Sequence, residues 1–371
     1  MLRRAWAMVV KEFIQLRRDR TTFAMLIMVP LLQLVLFGYA IDTDPKRLPT
    51  AVLAHDNGPA ARAVLAAMQA TGYFDIVVAA EGEAEIDRLI HTGQAMFVVE
   101  IPAHFGRDVR RGLEPDVLVI ADAADPTAAS NALAALQVLP ARALAGERLV
   151  PRATEGRAPF GFVVHRRYNP AGEASLNIVP GLVGTILTLT MVIFTALAVT
   201  REIERGTMEN LLALPIKPVE VMLGKIAPYV LIGAVQLGLI LGAARLLFDV
   251  PVEGSVWLLC ALTTLFILAN LSVGYTFSTV ARNQLQAMQM AIMFFLPSIL
   301  LSGFLFPFLG MPRWAQVLGE ILPLTHFLRI IRGIALKGST FADLSQEVLA
   351  LALFTIAAMA VAAVRFRRTL D

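Results

Sequence analysis

Apolar residues in this chain come in long blocks set apart by one extended stretch of mixed polarity. Six blocks, at residues 23–41, 176–199, 226–248, 255–280, 285–303 and 348–364, approach or exceed the ~18–20 apolar residues that a bilayer-spanning helix needs. Gly and Pro occur freely inside them (Pro180, Gly181, Gly184, Pro228, Pro297), as bilayer helices tolerate. Ahead of the first block, residues 1–22 interleave Trp6, Val9, Val10 and Phe13 with Arg3, Arg4, Lys11, Arg17, Arg18 and Arg20, the pattern of an amphipathic interfacial helix. Between the fifth and sixth blocks, residues 304–344 are apolar but broken by Pro307, Pro312 and Pro323, which predicts short or re-entrant helices rather than a span.

The mixed stretch, residues 42–175, has a different period. Short strand-like runs at 50–54, 74–79, 95–101 and 116–121 alternate with helix-like runs at 60–71, 83–92, 105–112 and 127–149. That alternation predicts an α/β unit, and about 130 residues can bury a core of their own. Asp125-Pro126-Thr127 has the chemistry of an N-cap followed by Pro at the first helical position. The fold class predicted is a polytopic α-helical membrane protein with six transmembrane helices and an inserted extracytoplasmic α/β domain.

Composition agrees. The 371 residues are 57% apolar and only 16% charged, with a mean hydropathy of +0.67; soluble domains carry about 25% charged residues. The net charge of +3 does not point to nucleic acid, because the basic residues flank the apolar blocks. Arg201, Arg205, Lys217, Lys225, Arg282, Arg365, Arg367, Arg368 and the N-terminal arginines fall on one side, whereas loop 249–254 on the other has no Lys or Arg. Both termini, including tail 365–371, are therefore expected in the cytoplasm, with the α/β domain facing outward. The lone cysteine, Cys260, rules out an intrachain disulfide.

Little in the chain carries bond-making chemistry. Gly224-Lys225 lacks both the glycine five positions earlier and the following Ser or Thr of a phosphate-cradling loop. His55, His91, His104, His165 and His326 are scattered, without metal-ligand spacing. No nucleophile-elbow motif occurs. The expectation is no catalysis, no metal and no cofactor on this chain. Gln33, Gln236, Asn270, Gln286 and Gln289 are the polar residues of the apolar blocks, candidates for interhelical hydrogen bonds or a translocation path. The blocks themselves contain no Asp, Glu or Lys, which disfavours an ion-coupled carrier. Ala234, Gly238 and Gly242 form a small-residue stripe that permits close helix contact.

The most informative segment is residues 200–218. It runs Arg201-Glu202-Ile203-Glu204-Arg205-Gly206-Thr207-Met208-Glu209-Asn210 and then Leu211-Leu212-Ala213-Leu214-Pro215-Ile216-Lys217-Pro218. Glu202, Arg205 and Glu209 stand at i, i+3 and i+7, one face of a helix, while the leucines face the other way. Gly206 offers a bending point and Pro215 ends the helix. A solvated charged turn obeying the positive-inside rule would carry similar residues.

This segment resembles the cytoplasmic coupling segment of type-2 ABC exporter permeases. Tyr168-Asn169-Pro170 with Ile178-Val179-Pro180-Gly181-Leu182-Val183-Gly184 resembles that family's entry into its second span, and Leu322-Pro323-Leu324-Thr325-His326-Phe327-Leu328-Arg329-Ile330-Ile331-Arg332-Gly333 its outer segment before the last span. The large outward domain is similar to that of the subgroup often paired with a periplasmic adaptor. The resemblance implies an inner-membrane permease without an ATPase site of its own. It implies a homo- or heterodimer of permeases driven by separate ABC ATPase subunits, which hold the ATP and Mg. It makes Glu202, Arg205, Gly206, Thr207, Glu209 and Pro215 the ATPase-coupling residues. The implied activity is export of a hydrophobic or amphipathic compound, drug or lipid-like.

His326, Arg329 and Arg332, at i, i+3 and i+6, fall on one side of a helix in the outer lid. They suit lipid phosphates or an anionic substrate group, or else snorkel as anchors. A rival reading of the whole chain is a membrane-anchored sensor or scaffold whose α/β domain binds a ligand or envelope protein.

Overall fold

The computed structural model describes residues 44–144, 158–204 and 218–368. The predicted interfacial helix 1–22 and first span 23–41 lie outside these residues. Five described helices are long and apolar enough to cross a membrane.

The polar stretch folds around a five-stranded sheet. Its elements are β1 (Leu48–Ala54), α1 (Pro59–Ala70), β2 (Phe74–Ala79), α2 (Glu83–His91), β3 (Phe97–Ile101), α3 (Phe105–Arg111), β4 (Asp116–Asp122), α4 (Pro126–Val138), α5 (Pro140–Ala143) and β5 (Gly161–Arg167). Strand order is β2-β1-β3-β4-β5. All neighbouring pairs run parallel except β3 with β4. Alternation along β1 divides its side chains between two cores. Leu48 and Val52 pack with Val64 and Met68 of α1, Phe105 of α3 and Leu136 of α4. Ala51 and Leu53 pack with Ile86, Leu89 and Ile90 of α2 on the opposite face.

The expected helix 127–149 is shorter, ending at Val138 before Pro140, which starts the separate turn α5. Asp125 caps α4, accepting from the Ala128 amide at 3.4 Å, with Pro126 at the first helical position. Strand β5 escapes a periodicity search because it is an edge strand with Val163, Val164, His165 and Arg166 all exposed. Without a buried face there is no apolar alternation to detect.

Asp56 pins β1 to α3. Its Oδ1 accepts the Gly58 amide at 2.7 Å and its Oδ2 the Gly106 amide at 2.8 Å. These bonds, Gly106 first, hold its carboxyl below the usual aspartate range. Because the folded value is depressed, the stabilisation is present above the ordinary value of 3.8 and is lost as pH falls through the folded one. Asp56→Ala should cost about 1 kcal/mol and speed hydrogen exchange at Gly106, read by mass spectrometry at neutral pH.

The helical part comprises α6 (Ala174–Glu204), α7 (Pro218–Phe248), α8 (Val256–Val280), α9 (Gln284–Leu301), α10 (Arg313–Ile321), α11 (Pro323–Lys337) and α12 (Ser345–Arg368), with a 3-10 turn at Phe308–Gly310. Its core lies among α6, α8, α11 and α12, including Val183, Leu187, Phe266, Tyr275, Phe327 and Leu351. Phe266 stacks on Phe327 with ring centroids 4.1 Å apart. Helix α7 instead exposes Leu231, Val235, Leu239, Leu246 and Leu247. Among the described residues, nothing comes close to Gly238 or Gly242 in the small-residue stripe of α7. Intrachain packing places bulk elsewhere, and the close approaches fall at other glycines.

Candidate functional site

At one end of the bundle, α6 continues beyond residue 199 to Glu204. Arg201 and Glu202 thus continue α6, which is described as far as Glu204. Arg201 is exposed; Glu202 is half-buried, within electrostatic range of the buried Tyr275 of α8. Arg205, Gly206, Thr207, Glu209 and Pro215 lie outside the described residues.

Glu204, which the spacing argument passed over, reaches across to α9. Its Oε1 accepts the Gln284 backbone N–H at 2.8 Å and its Oε2 accepts the Gln284 side-chain amide at 2.5 Å. These bonds, the side-chain one first, hold its carboxyl below the ordinary glutamate range. The sequence signal was faint: a glutamate ending one apolar block, and Asn283 capping another 79 positions on.

The expected intramembrane amides divide in the same way. Gln236 accepts the Thr190 hydroxyl at 3.0 Å, joining α7 to α6. Asn270 donates back to the Phe266 carbonyl of its own helix. Gln286 belongs to a helix start and not to a mid-span contact, since its Oε1 accepts the Arg282 amide and its own amide donates to Asn283.

At the other end, α10, α11 and the start of α12 build an ionic cluster. Prolines and glycines set its frame. Pro312 and Pro323 stand where α10 and α11 begin, as Pro tolerates. Gly184 of α6 lets α11 lie close, because a Cβ there would meet Leu324 at 2.8 Å and Phe327 at 3.0 Å. His326 is then held from both sides, its Nδ1 2.5 Å from Glu347 Oε2 and its Nε2 2.8 Å from the Glu320 carbonyl. Arg329 bonds Glu320 at 2.6 and 3.2 Å and Glu347 at 3.1 Å, with its guanidinium over the Phe308 ring.

Both imidazole nitrogens face oxygen acceptors. Only the imidazolium donates to both, so the cluster pairs two cations with two carboxylates. The expected one-sided trio is divided by the fold. Arg332 leaves the cluster and points its two terminal nitrogens at the Gly303 carbonyl, each at 3.4 Å. The span-like part of α12 begins at Ser345, three residues earlier than expected. It therefore carries the acidic Glu347 in its first turn, just ahead of the expected block 348–364. A first-turn glutamate survives there because His326 and Arg329 neutralise it.

The far end of α11 meets the sheet. Lys337 Nζ lies 2.5 Å from Asp122 Oδ2 at the end of β4 and 5.3 Å from the Tyr168 ring centre. Nearby, His91 Nε2 stands 3.5 Å from Asp343. A cavity of about 400 Å³ at this junction is lined by Asp87, His91, Arg167, Tyr168 and Asp343, with Arg167 paired to Asp87. Among the described residues no group of three His, Cys, Asp or Glu is placed to hold a metal ion. These charged groups tie helices and sheet together mechanically.

Comparison with known proteins agrees with this architecture. The sequence profile of the family described as "ABC-2 family transporter protein" matches residues 20–364. "Probable multidrug ABC transporter permease YbhS" of Escherichia coli K12 is 31% identical over all of this chain and 98% of its own length. "Probable multidrug ABC transporter permease YbhR" of the same strain is 28% identical, covering 99% of each. "Inner membrane transport permease YhhJ" is 31% identical over 77% of this chain and 76% of its own. Matching along nearly its whole length, the chain belongs to the ABC-2 family of transporter proteins, as a membrane permease.

Proposed function

We propose that this chain is the transmembrane subunit of an exporter in which a separate ABC ATPase subunit, carrying ATP and Mg, presses on residues 201–215. Six spans, the first at residues 23–41, place both termini in the cytoplasm of a bacterial inner membrane and the α/β unit outside. Two permeases, identical or related, form the transport path. A periplasmic adaptor engages the outward unit, and membrane lipids surround the rest. The cargo is hydrophobic or amphipathic, drug or lipid-like, in keeping with the multidrug names of the two Escherichia coli permeases.

One observation carries this reading. The charged end of α6 and the residues after it join two apolar helices of 31 residues each, in a chain that aligns end to end with ABC permeases. Glu202, Arg205 and Glu209 receive the stroke, Gly206, Thr207 and Pro215 shape the segment, and residues 304–344 with His326, Arg329 and Arg332 act as the outer lid. Closure of the ATPase then moves α6 and α7 together, since both emerge from that segment.

The test is purification of the tagged chain from its native membrane in mild detergent, with mass spectrometry of co-purifying proteins. An ABC ATPase is expected with the native chain, and its recovery should fall about tenfold with Glu202→Arg, the effect of reversing one charge in a polar contact. Absence of any ATPase across several detergents would sink the exporter reading and favour a sensor or scaffold built on the α/β unit.

A further inference from the structure

An ATPase that pushes on the end of α6 moves α7 through the chain itself, because residues 205–217 join the two. Reaching α9 requires a contact through space. The inner ends of α6, α8 and α9 meet over small residues, with Ala196, Ala281 and Ala287 buried together and Leu197, Phe277 and Met290 packed around them. Small side chains bring the backbones close, and Val192 and Ile193 with Ala291 and Phe294 extend the apolar contact along α6 and α9. At the end of this contact stands Glu204.

Glu204 grips α9 at its first residue, by the two hydrogen bonds to Gln284 already described. One of these takes up a helix-start amide that has no partner inside α9. The receiving end is itself stiff. Asn283 caps α9 by accepting the Gln286 amide at 2.8 Å, and Gln286 in turn accepts the Arg282 amide at 2.9 Å. A carboxylate bound at two points to a rigid turn transmits both a pull and a twist, whereas a single bond would pivot.

We infer that Glu204 is a positioning residue of the transport cycle, carrying displacement of segment 201–215 into α9 so that α6 and α9 move as one body. The inference rests on the exporter reading above, and adds to it a residue and a route. The coupling segment thereby acts on a helix 80 positions away in sequence as well as on its own neighbours.

Gln284→Pro is the incisive variant. It deletes both donors to Glu204, yet proline is well suited to the first position of a helix. The preceding Asn283 already has the extended backbone (φ −150°, ψ 165°) that a following proline demands. Glu204→Ala is the second variant, cutting the same link from the other side. In a Cys260→Ser background, spin labels are placed singly at two exposed positions, Arg201 on α6 and Met288 on α9. Spectra are recorded on the full chain co-purified with its ATPase, before and after trapping with ATP and vanadate.

With the link intact, both labels should respond to trapping. In Gln284→Pro and Glu204→Ala the response at position 201 should persist, while that at 288 falls about tenfold, within the range by which single contacts modulate coupling. An undiminished response at 288 in both variants, or none there in the unaltered link while 201 responds, would overturn the inference alone. Failure of an ATPase to co-purify, or of position 201 to respond, would instead overturn the exporter reading beneath it.

Discussion

Glu347→Ala should be the most damaging single change in the ionic cluster of α10, α11 and α12, lowering stability by about 2–3 kcal/mol. The estimate sits below the roughly 3–5 kcal/mol for breaking a fully buried ion pair, because the Glu347 side chain keeps 23% of its exposure. Its loss leaves His326 with one acceptor and Arg329 with Glu320 alone. The same cluster should give the protein an alkaline-side pH dependence. Burial by itself would depress the His326 imidazole. The hydrogen bonds to Glu347 and to the Glu320 carbonyl outweigh it and raise the value above the ordinary 6.5. A raised folded value means the stabilisation is complete below about 6.5 and is lost as pH climbs through the folded value. Thermal unfolding in detergent between pH 6 and 9 should therefore show a declining Tm for the native chain and a flatter, lower curve for His326→Gln. A native curve that rises through this window would contradict the charged imidazole.

Gly274→Val should be comparably harmful for a different reason. Gly274 is on α8 where it crosses α6, and a Cβ there would stand 2.5 Å from the Val192 carbonyl oxygen and 3.1 Å from Val192 Cα. Those are backbone atoms in the middle of a helix, so no rotamer change can relieve the clash and the two helices must separate. Overpacking of this kind costs about 1–3 kcal/mol, and a branched side chain at backbone contact belongs at the upper end. Gly274→Ala should lie lower in the same range. The measurement is the apparent Tm of a fluorescent fusion by size exclusion, with Gly238→Ala as a control expected near the native value because no atom of the described residues lies within 4 Å of its added Cβ.

These two sites also mark where sequence reasoning stops. A periodicity argument ranks Ala234, Gly238 and Gly242 above Gly274, since only the former make a repeating stripe. The fold uses Gly274, because close approach depends on where another helix crosses. In the same way His326 and Arg329 stood out at i and i+3, but Glu320 and Glu347, which define their chemistry, are set by how α10 and α12 pack on α11. Glu204 was overlooked for its quieter neighbours, as its partner lies 80 residues downstream.

The sequence by itself determined what depends on local composition and period. Apolar length marks out the membrane helices, alternation of strand-like and helix-like runs marks out the α/β unit, and Asp125 with Pro126 starts a helix wherever that helix is packed. The motifs at residues 168–184, 201–218 and 322–333 are contiguous, so family membership was legible too. Only the tertiary structure decided which charges meet, which glycines face a backbone, and that the end of α6 holds the start of α9. Hydrogen bonds and close contacts act over about 3 Å, and residues distant in the chain come within that range only once the helices have packed.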